Sequence, residues 1–228
     1  MTAADLTPRP WDVVGFGVNA LDLIAIIDGY PEPDTKAQFQ TFDVQGGGVT
    51  ATAMAAAARL GLRTRYIGKV GGDFWSRLSL KTLSREGVDV RHVIRVKDSP
   101  GHVSLVLADR ATGQRTLFFR RPPAYAIRPD ELDRETITSG RLLHVDGIDS
   151  DAAVRAIEWA RHAGMRVTMD GERIVPGIER VWPQVDLLVG AAPSTRETAN
   201  MFNEKVFRSM KKTAYFFGLS RGALTDEA

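Results

Sequence analysis

The 228-residue chain contains no cysteine, which excludes disulfides, thiol nucleophiles and cysteine-ligated zinc or iron–sulfur centres. It has no excess of one charge either: 30 Lys and Arg stand against 28 Asp and Glu, a net +2. The longest basic block is Lys211-Lys212 and no basic stretch is interleaved with aromatics, so nucleic acid is not an expected partner. No apolar run approaches the ~20 residues that span a bilayer. Residues 1–10 carry Pro8 and Pro10 and no apolar h-region, so they read as a flexible tail and not as a signal peptide. A cytoplasmic protein without a membrane partner is expected. Histidine is scarce, and His92, His102, His144 and His162 have no ligand-like spacing, so no metal centre is expected from them.

What the chain does have is an ordinary globular balance, 43% hydrophobic and 25% charged. Residues 11–228 are long enough to bury one core and are read as a single α/β domain. The most distinctive stretch is Gly46-Gly47-Gly48-Val49-Thr50-Ala51-Thr52, which runs into an alanine-rich segment ending at Arg59-Leu60-Gly61. Glycines let backbone N–H groups approach a ligand where a Cβ would collide. The alanines favour helix, and Gly61 is placed to terminate it. The start of such a helix offers unpaired N–H groups suited to hydroxyls or anions. The same residues would also serve a small-residue helix packed tightly on a sheet.

Asp12 to Val18 reads as a buried strand. Gly15-x-Gly17-x-x-Ala20 fits a dinucleotide-binding fingerprint, but that needs a helix directly behind it. Leu21 to Ile27 is instead β-rich and is cut short by Gly29 and Pro31, so a second strand is expected. Asp22 interrupts this apolar run; its carboxylate either points to solvent or holds a ligand hydroxyl at a strand end. Further strands are expected at 38–44, 63–70, 88–96, 102–108 and 115–120. A helix capped by Asp73 should carry Phe74, Leu78, Leu80 and Leu83 on its apolar stripe. Strands then alternate with helices: a strand at 141–145, a helix from Asp149 or Ser150 to Ala163, a strand at 166–169, a short helix at 177–182, a strand at 185–189 and a helix capped by Ser194. Such alternation implies a parallel sheet with right-handed crossovers. Ligands on such sheets gather beyond the carboxyl ends of strands. Asp146 and Asp170 fall at two of those ends and are site candidates for that reason.

With these residues in view the chain resembles the PfkB carbohydrate kinases, the ribokinase-like sugar and nucleoside kinases. The matching segments are Leu21-Asp22-Leu23 with Tyr30-Pro31, Gly46-Gly47-Gly48 through Arg59-Leu60-Gly61, Tyr66-Ile67-Gly68-Lys69-Val70-Gly71-Gly72-Asp73, Glu86-Gly87-Val88-Asp89, and Val185-Asp186-Leu187-Leu188-Val189. The resemblance implies a three-layer α/β fold with a mostly parallel sheet flanked by helices. It also implies a small β lid built from strands within about 22–45 and 90–121. It implies phosphoryl transfer from ATP, with Mg2+, to a sugar or polyol hydroxyl. Asp22 would hold sugar hydroxyls, and Gly47 and Gly48 would let the sugar lie against backbone. Thr52 stands where the family carries asparagine, and Arg120 or Arg121 could reach the sugar from a lid strand. The lid would also pair two subunits in a homodimer.

Three departures bear on function. Met54 replaces a small residue, and Gly190-Ala191-Ala192-Pro193 stands where Asn-x-x-Glu organises magnesium and phosphate in the family. No Gly-Ala-Gly-Asp segment, which in the family supplies the catalytic base and the anion hole, is present. The 228 residues are therefore read as a C-terminally truncated kinase that carries the sugar-binding part, with no catalytic residue assigned. The alternatives are a non-catalytic sugar-binding or dimerising module and a degraded product. The last is suggested by residues 200–228, where Met201-Phe202-Asn203 and Tyr215-Phe216-Phe217 do not continue the family pattern.

Overall fold

A computed structural model describes residues 9–226. Twelve strands and five α-helices follow in the order β1 (Trp11–Phe16), β2 (Ala20–Ile27), β3 (Thr41–Gly47), α1 (Val49–Arg59), β4 (Thr64–Ile67), β5 (Lys69–Gly71), α2 (Phe74–Arg85), β6 (Ile94–Val96), β7 (Val103–Asp109), β8 (Arg115–Arg120), α3 (Arg134–Ile137), β9 (Gly140–Val145), α4 (Ser150–His162), β10 (Arg166–Gly171), β11 (Leu187–Gly190), α5 (Glu204–Ser209) and β12 (Tyr215–Gly218). Six of the strands form one parallel sheet in the order β12-β11-β10-β9-β1-β4. A second sheet, β3-β2-β7-β8, pairs β2 antiparallel to β3 and parallel to β7. The β7–β8 hairpin closes it; Asp109 accepts from the Thr112 hydroxyl at 2.6 Å and Gly113 takes φ +69°. This second sheet is the expected lid, and β2 follows Gly17 directly with no intervening helix, which removes the dinucleotide reading.

Side-chain alternation divides the parallel sheet into two unlike faces. On one face Leu143, Val145, Val167, Met169 and Leu188 are buried against Ala152, Ala153, Ala156, Ile157 and Ala160 of α4. On the other face α1 lies over β1 and β4, where Ala51 and Met54 cluster with Val13 and Tyr66. The close packing of α1 requires Gly15: a Cβ there would sit 2.5 Å from Met54 Cγ. Register places Leu142, His144, Thr168, Asp170, Leu187, Val189, Tyr215 and Phe217 on this second face. None of those eight is in the buried class; α1, joined by Leu83 of α2, covers the β1–β4 part of this face. Parallel sheets are ordinarily covered on both faces. No helix among the described residues is long and apolar enough to cross a membrane.

Several local expectations are corrected. No helix follows Ser194. Thr198 instead accepts from the Thr195 backbone N–H at 2.9 Å and donates to the Pro193 carbonyl, a local turn that competes with helix. The helix begins ten residues later as α5, where the Asn203 side chain accepts from the Val206 N–H. In place of the short helix expected at 177–182 there are two 3-10 turns, Ile178–Arg180 and Trp182–Gln184, and the strand expected at 88–96 is reduced to β6 and a bridge between Arg65 and Asp89. Asp73 caps α2 as expected, accepting from the Ser76 N–H at 2.8 Å, but Phe74 is exposed and Ser76 and Ser79 are buried in its place. Residues 200–226 contribute to the core: Met201, Phe202, Val206 and Leu224 are buried, and Phe202 packs on Phe216 with ring centroids 4.9 Å apart.

Candidate functional site

The three consecutive glycines each meet a different neighbour. Gly47 is opposite Asp22: a Cβ on it would lie inside the carboxylate, 2.6 Å from Cγ. Gly48 takes φ +92°, and its Cβ would meet the Asn19 and Ala20 backbone at 2.6 and 2.7 Å. At Gly46 the Cβ would come 2.7 Å from the Thr82 hydroxyl of α2. The glycine turn thus lets the lid, α1 and the β1–β2 connection meet at one point, with the Asp22 carboxylate directly against it.

Asp22 sits on β2 in register with Gln45 on β3 and Ser104 on β7. Burial pushes its carboxyl above the usual range, and a hydrogen bond from the Ser104 hydroxyl opposes that rise. The β1–β2 connection is fixed from below by Asp146, a fully enclosed carboxylate just past β9. Its oxygens accept from the Val18 N–H at 2.6 Å, the Thr50 hydroxyl at 2.9 Å and the Ile148 N–H at 3.1 Å. Tyr66 adds a bond from its hydroxyl to the Gly17 carbonyl at 2.8 Å. Val18 in turn accepts from the Ala51 N–H at 3.1 Å, so one of the free donors at the start of α1 serves this loop. Three loops are therefore locked together around the place where a ligand would meet backbone.

Asp22, Gly47 and Gly48 are brought together. Thr52 lies on the exposed side of α1, where with Asn19, Gln45 and Gly47 it lines a cleft of about 770 Å³ between α1 and α2. Asp170 stands apart, on the body sheet. Its carboxyl is pushed up to about 7, first by burial and then by Glu172 and Asp146, and its enclosed Oδ1 has no partner. Arg120 is not brought to the site. It pairs with Val103, one residue out of phase with the Ser104–Phe119 pair, so it lies on the lid face away from Asp22. Arg121 is on the near side but is paired with Asp149 at 2.6 Å and donates to the Tyr125 carbonyl at 3.0 Å. Sequence reasoning passed over Ser104 and Asn19, because the β2–β7 pairing that sets Ser104 beside Asp22 joins strands about eighty residues apart.

Among the described residues no three His, Asp or Glu side chains converge on one point. The end of β11 carries Gly190 and Ala191 and offers no carboxylate there.

The chain and its fold have known relatives. The profile of the family described as pfkB family carbohydrate kinase matches residues 12–216. The chain belongs to that family. The match runs through Met201, Phe202 and Phe216, beyond Val189 where the motif resemblance ended, so the aromatic tail lies inside the family region. A nucleoside kinase from Methanothermobacter thermautotrophicus is 30% identical over 159 residues, covering 70% of this chain and 51% of that protein. Fructokinase-1 from Zea mays is 30% identical over 195 residues, covering 77% of this chain and 58% of that protein. Among solved structures, a putative ribokinase from Agrobacterium tumefaciens superposes with a TM-score of 0.72 at 21% identity, over 78% of this chain and 58% of that one. An Arabidopsis thaliana ribokinase complexed with ribose and ATP gives a TM-score of 0.64 at 20% identity, over 88% and 62%. The fold is ribokinase-like. The chain spans about half the length of the curated relatives it matches.

Proposed function

We propose that this PfkB-family chain holds a sugar or related polyol against the Asp22 carboxylate and the adjoining Gly47-Gly48 backbone, as the sugar-binding part of an ATP-dependent carbohydrate kinase. The observation that carries this reading is the Asp22 carboxylate seated against Gly47, a contact that any side chain at 47 would destroy. A polyol needs partners for both its donors and its acceptors. Asp22 supplies acceptors, while the glycine turn and Asn19 supply donors. The lid stands over this point, where closure would exclude water as a competing phosphoryl acceptor.

Phosphoryl transfer also needs charge neutralisation and an oriented nucleophile, and no residue described above fills those roles. The ATP and Mg2+ that the family implies are assigned to a region that would cover the bare face of β9–β12. Two facts support this: none of the side chains that β9–β12 place on that face is in the buried class, and the relatives carry about as much chain again as they share with this one. The 228-residue chain is then expected to bind sugar without consuming ATP. A version extended by the remaining length of a relative should consume ATP only when a sugar is present. Titration calorimetry with ribose, fructose and glucose, followed by a coupled ADP-release assay on both versions, tests the reading. Failure of every sugar to bind would overturn it.

The second reading, a dimerising sugar-binding module, is favoured by one observation. On the lid face away from Asp22, Phe42, Leu105 and Phe118 are exposed together (51%, 40% and 58%). Apolar residues on an unpaired sheet face mark a contact surface. Sedimentation of the chain against Phe118→Lys distinguishes a lid-mediated dimer from a monomer.

A further inference from the structure

Besides the glycine turn and the β1–β2 connection, two straps join the lid to the body. Residues 97–102 lead from β6 into β7, and residues 121–126 lead away from β8. A hollow of about 450 Å³ lies between them, lined by Ser99, Pro100, Arg120 and Arg121, so the straps do not hold each other in place. The body holds them. Arg121 ties the outgoing strap to Asp149 at 2.6 Å. The incoming strap is tied by Asp73, the cap of α2. One oxygen of its carboxylate accepts from the Ser76 N–H and the other from the Gly101 N–H, both at 2.8 Å. The strap fits closely here: a Cβ on Gly101 would lie 3.1 Å from Asp73 Oδ1, and one on Gly71 would lie 2.2 Å from the Ser99 carbonyl oxygen. Gly101 leads straight to the site. The His102 carbonyl accepts from the Leu21 N–H at 3.0 Å, and two residues further on the Ser104 hydroxyl donates to Asp22.

From this arrangement we propose that Asp73 is a positioning residue for the sugar site: by holding Gly101 to the start of α2 it sets β7 along β2 and keeps the Ser104 hydroxyl on the Asp22 carboxylate. The proposal rests on the sugar-binding reading and adds to it a residue that touches no ligand. A helix cap needs only one acceptor, and serine or asparagine would serve as well. Two N–H groups from different elements need two acceptor oxygens with no donor between them, which an ionised carboxylate supplies. Bonds to an ionised acceptor are also the stronger kind. Gly101 is buried, so its N–H has no water to replace Asp73. With Ser104 engaged, the Asp22 carboxylate presents its remaining lone pairs in one direction. A ligand then need not bear the cost of ordering it.

The test uses the whole chain and three readouts: the Asp22 carboxyl titration by carbon-13 NMR, hydrogen exchange at the Gly101 amide, and calorimetry with ribose. Asp73→Asn keeps one acceptor for the cap but turns a donor toward Gly101, whereas Asp73→Ala removes both bonds. Both variants should speed Gly101 exchange about tenfold. Both should move the Asp22 titration further up, because the Ser104 bond opposes its rise. Ribose binding should weaken about three- to tenfold in each. Asp73→Ala alone loses the cap and should melt lower than Asp73→Asn, with ribose affinity within about twofold of it. Asp133→Ala is the control for lost stability. Asp133 caps α3, which packs on α4, by accepting from the Thr136 N–H at 2.8 Å, and its removal should leave the Asp22 titration and ribose affinity unchanged. An Asp22 titration unmoved in both Asp73 variants would overturn the proposal, as would ribose affinity that follows melting temperature across all three variants. A native chain that binds no ribose would count against the sugar-binding reading alone, because the Asp22 titration reports the Asp73 tether without a ligand.

Discussion

At Gly48 the positive φ and the adjoining backbone act together, so its substitution is the sharpest test of the turn. Gly48→Ala must leave the left-handed region or push the Asn19–Ala20 backbone away. A loss of roughly 1–3 kcal/mol in unfolding free energy, measured by urea titration, is expected. Gly47→Ala differs in kind: its φ is unstrained, and the collision is with the end of the Asp22 side chain. Its expected signature is weaker sugar binding with a smaller change in stability. Asp170 makes a pH prediction. Its folded pKa of about 7 lies above the model-peptide value of 3.8, so between those values the folded state binds more protons than the unfolded one. Its contribution to stability is fully present below about pH 4 and is lost as pH rises through about 7. Asp170→Asn should therefore flatten the melting temperature between pH 4 and 7 and raise it at pH 8, by an amount equivalent to at most ~4 kcal/mol.

At the scale of elements, the tail after Asn200 is the segment whose weight in the fold is most easily measured. Phe202 is buried between Trp182 and Phe216, with centroids 6.3 and 4.9 Å away. Phe202→Ala should cost roughly 3–5 kcal/mol by thermal or urea unfolding, as for other large aromatics removed from a core. This packing was not legible in the sequence, because three aromatics near the end of a chain have no period that separates core from surface. Elements with strong local signals were legible. The glycine turn, α1 with its Gly61 terminator, the Asp73 cap and the parallel strands all came from residue types whose backbone preferences are nearly sufficient. Where tertiary contacts chose between alternatives, local reading failed. The Thr198 hydroxyl diverted the chain after Ser194 from helix. Likewise, strand phase put Arg120 on the face of β8 away from Asp22. Asp22 with Gly47 and Gly48 could be read in advance, whereas the place of Ser104 depended on a pairing between distant strands.

For the molecule as a whole, the unlike faces of the parallel sheet are the feature with the widest consequences. Leu187, Val189, Tyr215 and Phe217 lie on the face opposite α4, and Tyr215 and Phe217 are 70% and 55% exposed. Apolar surface of this kind binds hydrophobic dyes and promotes association. The native chain should raise the fluorescence of such a dye, and Val189→Lys with Phe217→Lys should lower both that signal and the sedimenting mass. A native chain that binds no dye and sediments as a monomer would show that this face is not the open surface described.

The account depends most on the Asp22 carboxylate and the glycine turn forming two walls of one sugar site, and backbone amide NMR reads that directly. On titration with a bound sugar, the amides of Gly46, Gly47, Gly48 and Asn19 are expected to shift together and saturably, and Asp22→Ala should abolish those shifts while the rest of the spectrum stays folded. Shifts confined to other regions, or an unchanged titration in Asp22→Ala, would contradict it.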